Sequence, residues 1–177
     1  MRKIWIPIVS LVLAAVILLG VYNLTLDLRC ANQQKELQAK MVTLLPGSTT
    51  FTEEVYTGED VNISRVFKGE TGYVIGTATT GYAGPISMLI GVSNDGYVTG
   101  LQVRQMEETF GLGGEALTDW EFLAQFLNTE GDAAVGENID AITGATVTSK
   151  AITRSVNSAV AFVTGSDVDS GATSWGG

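Results

Sequence analysis

Residues 86–103 read Ile-Ser-Met-Leu-Ile-Gly-Val-Ser-Asn-Asp-Gly-Tyr-Val-Thr-Gly-Leu-Gln-Val. Ile86, Met88, Ile90 and Val92 recur every second residue, which places them on one face of a strand. Asn94-Asp95-Gly96 is a strong turn signal, and Val98 to Val103 returns as a second strand. Upstream, Val61, Ile63 and Phe67 alternate with polar residues, and Tyr73, Ile75, Thr77 and Thr79 alternate with small ones. Strands from about Val55 to Val103 joined by short turns predict an antiparallel sheet.

Downstream the periodicity becomes helical. Thr118-Asp119-Trp120-Glu121 fits a capping box, with Thr118 as cap and Glu121 reaching back. Leu117, Trp120, Ala124 and Leu127 then share a face. A second helix is predicted from about Thr148 to Val163, with Ile152, Val156, Ala159, Val160 and Val163 as its buried stripe. Strands followed by helices make an α+β domain, expected over residues 48–164. Residues 165–177 are rich in Gly, Ser and Asp and read as a flexible tail.

Working toward the N-terminus, Cys30 to Gly47 carries Leu37, Met41, Leu44 and Leu45 on one helical face, and Pro46-Gly47 stops it. Residues 27–47 are therefore a stalk helix. Before it, Ile4 to Leu26 is 23 residues without a charge. At about 1.5 Å per residue such a helix crosses a hydrocarbon core of roughly 30 Å. Trp5 and Tyr22 sit near its ends, as interfacial aromatics do. A cleaved signal has a shorter apolar region and an A-x-A site, and no such site follows here. Residues 1–26 are thus expected to be a short cytoplasmic N-terminus and a single transmembrane helix. Arg2 and Lys3 should stay cytoplasmic, which puts the following domain outside, on a cell (inner) membrane.

The chain has 10 Lys and Arg, 19 Asp and Glu, no His and one Cys, for a net charge of −9. Without His it holds no Ser-His-Asp triad and no His-containing zinc site of its own. One Cys holds neither an internal disulfide nor an iron–sulfur cluster. An acidic chain lacks the clustered cations that bind nucleic acid. No metal site or catalytic side chain stands out, so any redox chemistry belongs to a cofactor.

Asp140-Ala-Ile-Thr-Gly-Ala-Thr-Val-Thr-Ser149 brings four hydroxyls and a glycine directly before a helix. A helix N-terminus with free N–H groups suits a phosphate. Gly144 and Ala145 allow close backbone approach, and Lys150 adds a cation. The same pattern is also that of an ordinary Thr or Ser N-cap.

Asp140-x-x-Thr143-Gly144-Ala145-Thr146 resembles the flavinylation motif of the FMN-binding domain family, found in the G subunit of the Rnf complex and in the C subunit of the Na+-translocating NADH:quinone reductase. In that family the last Thr is esterified to the phosphate of FMN by a flavin transferase. The resemblance implies that Thr146 carries covalent FMN and that Asp140 belongs to what the transferase recognises. Thr143, Gly144, Ala145 and Thr148 would surround the phosphate. Gly81-Tyr-Ala-Gly-Pro-Ile86 is similar to another family segment. Glu108-Thr109-Phe110-Gly111-Leu112-Gly113 resembles the family's E-T-P-G-L-G, with Phe110 in place of Pro, and implies that Glu108, Thr109, Leu112 and Gly113 line the flavin. Asp167-Val-Asp-Ser-Gly-Ala-Thr173 repeats the motif with no helix after it. Thr146 is favoured because an anion site needs ordered donors.

The implied function is electron relay through FMN in an ion-translocating ferredoxin:NAD+ oxidoreductase, with the other Rnf subunits as partners and no complete activity in this chain alone. The small size favours the Rnf subunit over the quinone-reductase one. A stand-alone extracytoplasmic FMN carrier, or an adhesive domain using its threonines as caps, are the rival readings.

Overall fold

The computed structural model describes the backbone of residues 2–106 and 119–166, and most side chains outside residues 2–30 and 105–106 of these. Two units are distinguished, Met1–Ala39 and Lys40–Gly177.

In the first unit the described residues are all helical. Helix α1 runs Arg2–Leu44, taking in the Ile4–Leu26 stretch and the expected stalk up to Leu44, three residues short of its expected end. Among the described residues no helix is long and apolar enough to cross a membrane. Most side chains of the Ile4–Leu26 stretch lie outside those residues.

The second unit is built on a five-stranded antiparallel sheet in the order β1-β2-β3-β4-β5. Its strands are Thr52–Glu54, Ile63–Lys68, Gly72–Thr80, Pro85–Ser93 and Val98–Met106. The Asn94-Asp95-Gly96 turn forms as the sequence predicts. Gly96 takes φ +89°, a conformation open to glycine, and the Ser93 N–H donates to the Tyr97 carbonyl at 2.8 Å. Ile75 pairs with Ile90, Thr77 with Met88 and Thr79 with Ile86, so the period-two residues of both strands share one face.

That face is covered by two helices. α3, Thr146–Thr164, buries Ile152, Val156, Ala159 and Val160 as expected; Val163 is only half-buried. α2 is a short turn of helix, Trp120–Ala124, whose N-cap is Asp119: its carboxylate accepts from Glu121 N–H at 3.0 Å and Phe122 N–H at 3.1 Å. Thr118 and Leu117 lie outside the described residues. The buried side chains here are Phe122 and Phe126, with ring centroids 5.3 Å apart, while Trp120 is 70% exposed. The expected Trp120 stripe is therefore replaced by the Phe pair.

The second sheet face receives the C-terminal end of α1. Phe67, Val74 and Gly91 are successive cross-strand partners, and Gly91 pairs with Gly100 on β5. The two glycines make a shallow bed for Leu44, whose carbonyl accepts a 2.6 Å hydrogen bond from Thr99 Oγ1. A helix-terminal carbonyl that would otherwise be orphaned is thereby satisfied. Met41, Leu44 and Leu45 are buried with Phe67, Val74 and Leu89. Pro46-Gly47 ends the helix, with Gly47 at φ +91°.

Ser48, 1% exposed, then fastens the β2–β3 turn: its hydroxyl accepts from the Glu70 and Thr71 N–H groups, both at 3.0 Å. Removing a shared acceptor strands two backbone donors, at about 1–3 kcal/mol for each one left unsatisfied. Ser48→Ala is thus expected to lower stability by about 2 kcal/mol or more in urea titration. An unchanged midpoint would show that water replaces the hydroxyl.

Candidate functional site

The site is best located by following α3 along the sheet. Near its start, Thr79 Oγ1 donates to the Ala151 carbonyl at 3.2 Å and bonds Ser155 Oγ at 2.9 Å. One turn on, Asn62 Nδ2 donates to Ser158 Oγ at 3.2 Å. Farther still, Phe162 meets Tyr73 edge-on, with centroids 5.7 Å apart. The helix therefore runs from the Thr79 end of β3 toward its Tyr73 end. Its N-terminus, with Thr146, lies toward the turn between Thr80 and Pro85.

The same sheet end holds the 81–84 hairpin and the end of β5. Thr80 pairs with Pro85 and Ile86 with Met106, so the 81–84 hairpin and the end of β5 are adjacent. The chain leaves Met106 there into the segment holding Glu108, Thr109, Leu112 and Gly113, which lie outside the described residues, as does Thr173. It re-enters at Asp119, ahead of α2.

The hydroxyl-rich stretch is ordered by backbone and side-chain bonds. Gly144 takes φ +79°. The Ala145 N–H donates to the Ile142 carbonyl at 2.9 Å, closing the turn before the helix. Ser149 fixes the turn from inside: its hydroxyl donates to the Ala145 carbonyl at 3.0 Å and accepts from the Ile142 N–H at 3.2 Å. The N-cap of α3 is Ala145, with no side-chain cap bond. The ordinary Thr or Ser cap that the sequence also allowed is therefore not formed at that position. Thr146 is instead the first residue of the helix and is exposed, together with Asp140, Thr143 and Gly144; Ala145 and Thr148 are buried. Thr148, 1% exposed, faces the interior and is not an outward ligand. Lys150 is exposed one turn beyond Thr146.

An exposed hydroxyl on the first residue of a 19-residue helix that lacks a side-chain cap fits a phosphate ester: the helix dipole favours the anion and first-turn N–H groups lack partners within the helix. Gly144 removes bulk beside it. The residues present therefore fit an FMN phosphate, and Thr146 offers an exposed hydroxyl at the helix start.

Two contacts at this site were not legible in the sequence. Ser149 was visible only as one more hydroxyl. Gln125, 15 residues before Asp140, clamps that residue's backbone: its Oε1 accepts from the Asp140 N–H at 2.7 Å and its Nε2 donates to the Asp140 carbonyl at 3.4 Å.

Known proteins place the fold in a family. The FMN-binding domain family matches residues 81–161, which contain the hairpin, β4, β5, α2 and most of α3. The chain is 31% identical over 159 residues to the G subunit of the proton-translocating ferredoxin:NAD+ oxidoreductase complex of Clostridium ljungdahlii, covering 86% of this chain and 85% of that protein. It is 36% identical over 154 residues to the G subunit of the ion-translocating oxidoreductase complex of Methanosarcina acetivorans, covering 78% and 79%. The G subunit of the Na+-translocating ferredoxin:NAD+ oxidoreductase complex of Acetobacterium woodii is 39% identical over 117 residues, and this chain spans 53% of its length. An FMN-binding domain at the motif-bearing sheet end and a match along most of the length of such a protein lead to one assignment: the chain belongs to the Rnf G-subunit family of ion-translocating oxidoreductase complexes.

Proposed function

We infer that this chain is a membrane-anchored flavoprotein subunit that relays electrons through FMN held covalently on Thr146, within an ion-translocating ferredoxin:NAD+ oxidoreductase. The observation that carries this reading is the exposed Thr146 on the first turn of a helix without a side-chain cap, inside the Asp140-x-x-Thr-Gly-Ala-Thr motif of a chain of this family. FMN supplies the electron-carrying chemistry when attached. The chain's own residues supply the anchor point, the anion-favouring helix end and the turn that keeps Thr146 outward. Asp140, Thr143, Gly144 and Ala145 form that turn, Thr148 is buried in the first turn of the helix, and Glu108, Thr109, Leu112 and Gly113 are assigned to the flavin ring side.

Covalent attachment suits an outward-facing domain. A tethered cofactor stays at high local concentration where a free one diffuses away. The uncharged Ile4–Leu26 stretch, helical within α1, would span about 35 Å. Arg2 and Lys3 before it favour a cytoplasmic N-terminus and an extracytoplasmic domain. With one span and no iron–sulfur or NAD motif, the chain needs the other subunits as donor, acceptor and ion path, and a flavin transferase for maturation.

Two measurements on the native membrane test this placement. Protease added to cells stripped of any outer wall should digest the domain while cytoplasmic proteins survive. Mild detergent should extract the chain together with multi-span subunits. Protection until lysis would reverse the topology, and a lone monomer in several mild detergents would favour a stand-alone carrier.

A further inference from the structure

Gln125 and Asp140 face one another across two segments that share no secondary structure. The Gln125 side-chain amide bonds the Asp140 main chain with both of its polar atoms, in the way a neighbouring strand's peptide group would. The 2.7 Å bond, from Asp140 N–H to Oε1, is the tighter of the two. The Asp140 carboxylate makes no bond in this contact and stays exposed. Beyond it, the Ile142 N–H is held by Ser149 Oγ and the Ala145 N–H by the Ile142 carbonyl. Every second or third peptide from Asp140 to Thr146 is thus tied to the folded domain. The side chains of Asp140, Thr143 and Thr146 are left outward.

We propose that Gln125 is a positioning residue for flavin attachment: its amide clamps the Asp140 backbone, so that the folded domain presents the Asp140 carboxylate and the Thr146 hydroxyl to the transferase in one fixed arrangement. This rests on the reading of Thr146 as the FMN acceptor. In the attachment step Thr146 Oγ1 bonds to the FMN phosphorus of a flavin dinucleotide donor. The pyrophosphate P–O bond breaks, the nucleoside monophosphate leaves, and the hydroxyl proton passes to a base on the transferase. Gln125 touches none of these atoms; it fixes where the recognised acid stands relative to the nucleophile. Because it directly follows α2, it also ties the segment after the 107–118 stretch to the flavin-bearing turn.

A displacement of about 1 Å in a reacting arrangement can cost on the order of a hundredfold in rate. The full chain is therefore assayed with purified flavin transferase and flavin adenine dinucleotide, by the rate of appearance of protein-bound flavin fluorescence after denaturation. Gln125→Leu, which keeps the volume and removes both bonds, should lower the transferase's kcat/KM for the chain about ten- to a hundredfold. Gln125→Glu, which keeps the acceptor for the Asp140 N–H, should fall between Gln125→Leu and wild type. Both variants should unfold within a few degrees of wild type, and Thr146→Val is the blank. Wild-type kcat/KM in Gln125→Leu overturns the clamp and leaves the Thr146 assignment standing. A loss in Gln125→Leu matched only by a fall in the folded fraction, with Gln125→Glu behaving as wild type, also overturns it. Absence of flavin on the wild-type chain would instead sink the underlying reading.

Discussion

Thr146→Val should abolish covalent FMN. A phosphoester needs a hydroxyl oxygen, and valine is nearly the same shape without one. Because Thr146 is exposed and leads α3 from outside the core, the change removes no buried contact. A stability loss no greater than about 1–2 kcal/mol is expected, within the range of ordinary surface and helix-start substitutions. Fluorescence of the denatured band in a gel should vanish while the urea midpoint moves little. Thr146→Ser keeps the nucleophilic oxygen and should be flavinylated at least in part. Thr173→Val should leave attachment intact, since the second motif has no predicted helix to offer ordered donors. Fluorescence kept in Thr146→Val and lost in Thr173→Val would place the flavin on the other copy.

A large effect on folding is expected at Gly91. A side chain there would run into the backbone of Leu44, whose carbonyl carbon is 2.8 Å from the position of an added Cβ, and into Thr99 Oγ1 at 2.8 Å. Neither obstacle is the far end of a flexible side chain. The strand is fixed on both sides by Val74 and Gly100, and the end of α1 is fixed by Thr99. Overpacking usually costs about 1–3 kcal/mol, and a clash with backbone stands at or above the top of that range. Gly91→Val is therefore expected to destabilise the domain by about 3 kcal/mol or more, roughly a 10 °C fall in Tm. Gly100→Ala, whose added Cβ would meet Leu44 at 3.0 Å, should cost less than Gly91→Ala. A Gly91→Val protein as stable as wild type would contradict the seating of Leu44 on the sheet.

These cases show which features local sequence encodes. The β4–β5 hairpin was legible because its apolar period of two and its Asn-Asp-Gly turn are both local signals. The α3 stripe was legible for the same reason, although the helix starts at Thr146, about two residues before the predicted start. β1 was not legible. Thr52–Glu54 is wholly exposed and polar, and it lies at a sheet edge where Glu53 pairs with Arg65 at 2.8 Å. The choice of Phe122 and Phe126 over Trp120 was decided by tertiary packing in a helix too short to show a period. Asp119 displaced Thr118 as cap between two neighbouring residues that are both good caps. Gly91 and Gly100 read as small strand residues; only the fold shows that a helix end rests on them.

At the site, the motif located the start of the helix, where Thr146 is exposed. It did not reveal that Ala145 leaves the helix without a side-chain cap, nor that Ser149 and Gln125 hold the turn. Those ties come from residues whose partners are set by the packing of α2 and α3, not by spacing along the chain.

The proposed electron relay rests on covalent FMN at Thr146. The attachment is read most directly from the mass of the intact chain produced alongside an active flavin transferase, followed by peptide mapping. The expected result is a gain of one FMN less one water, carried on the peptide containing Thr146. An unmodified mass, or the same gain on any peptide lacking Thr146, would contradict it.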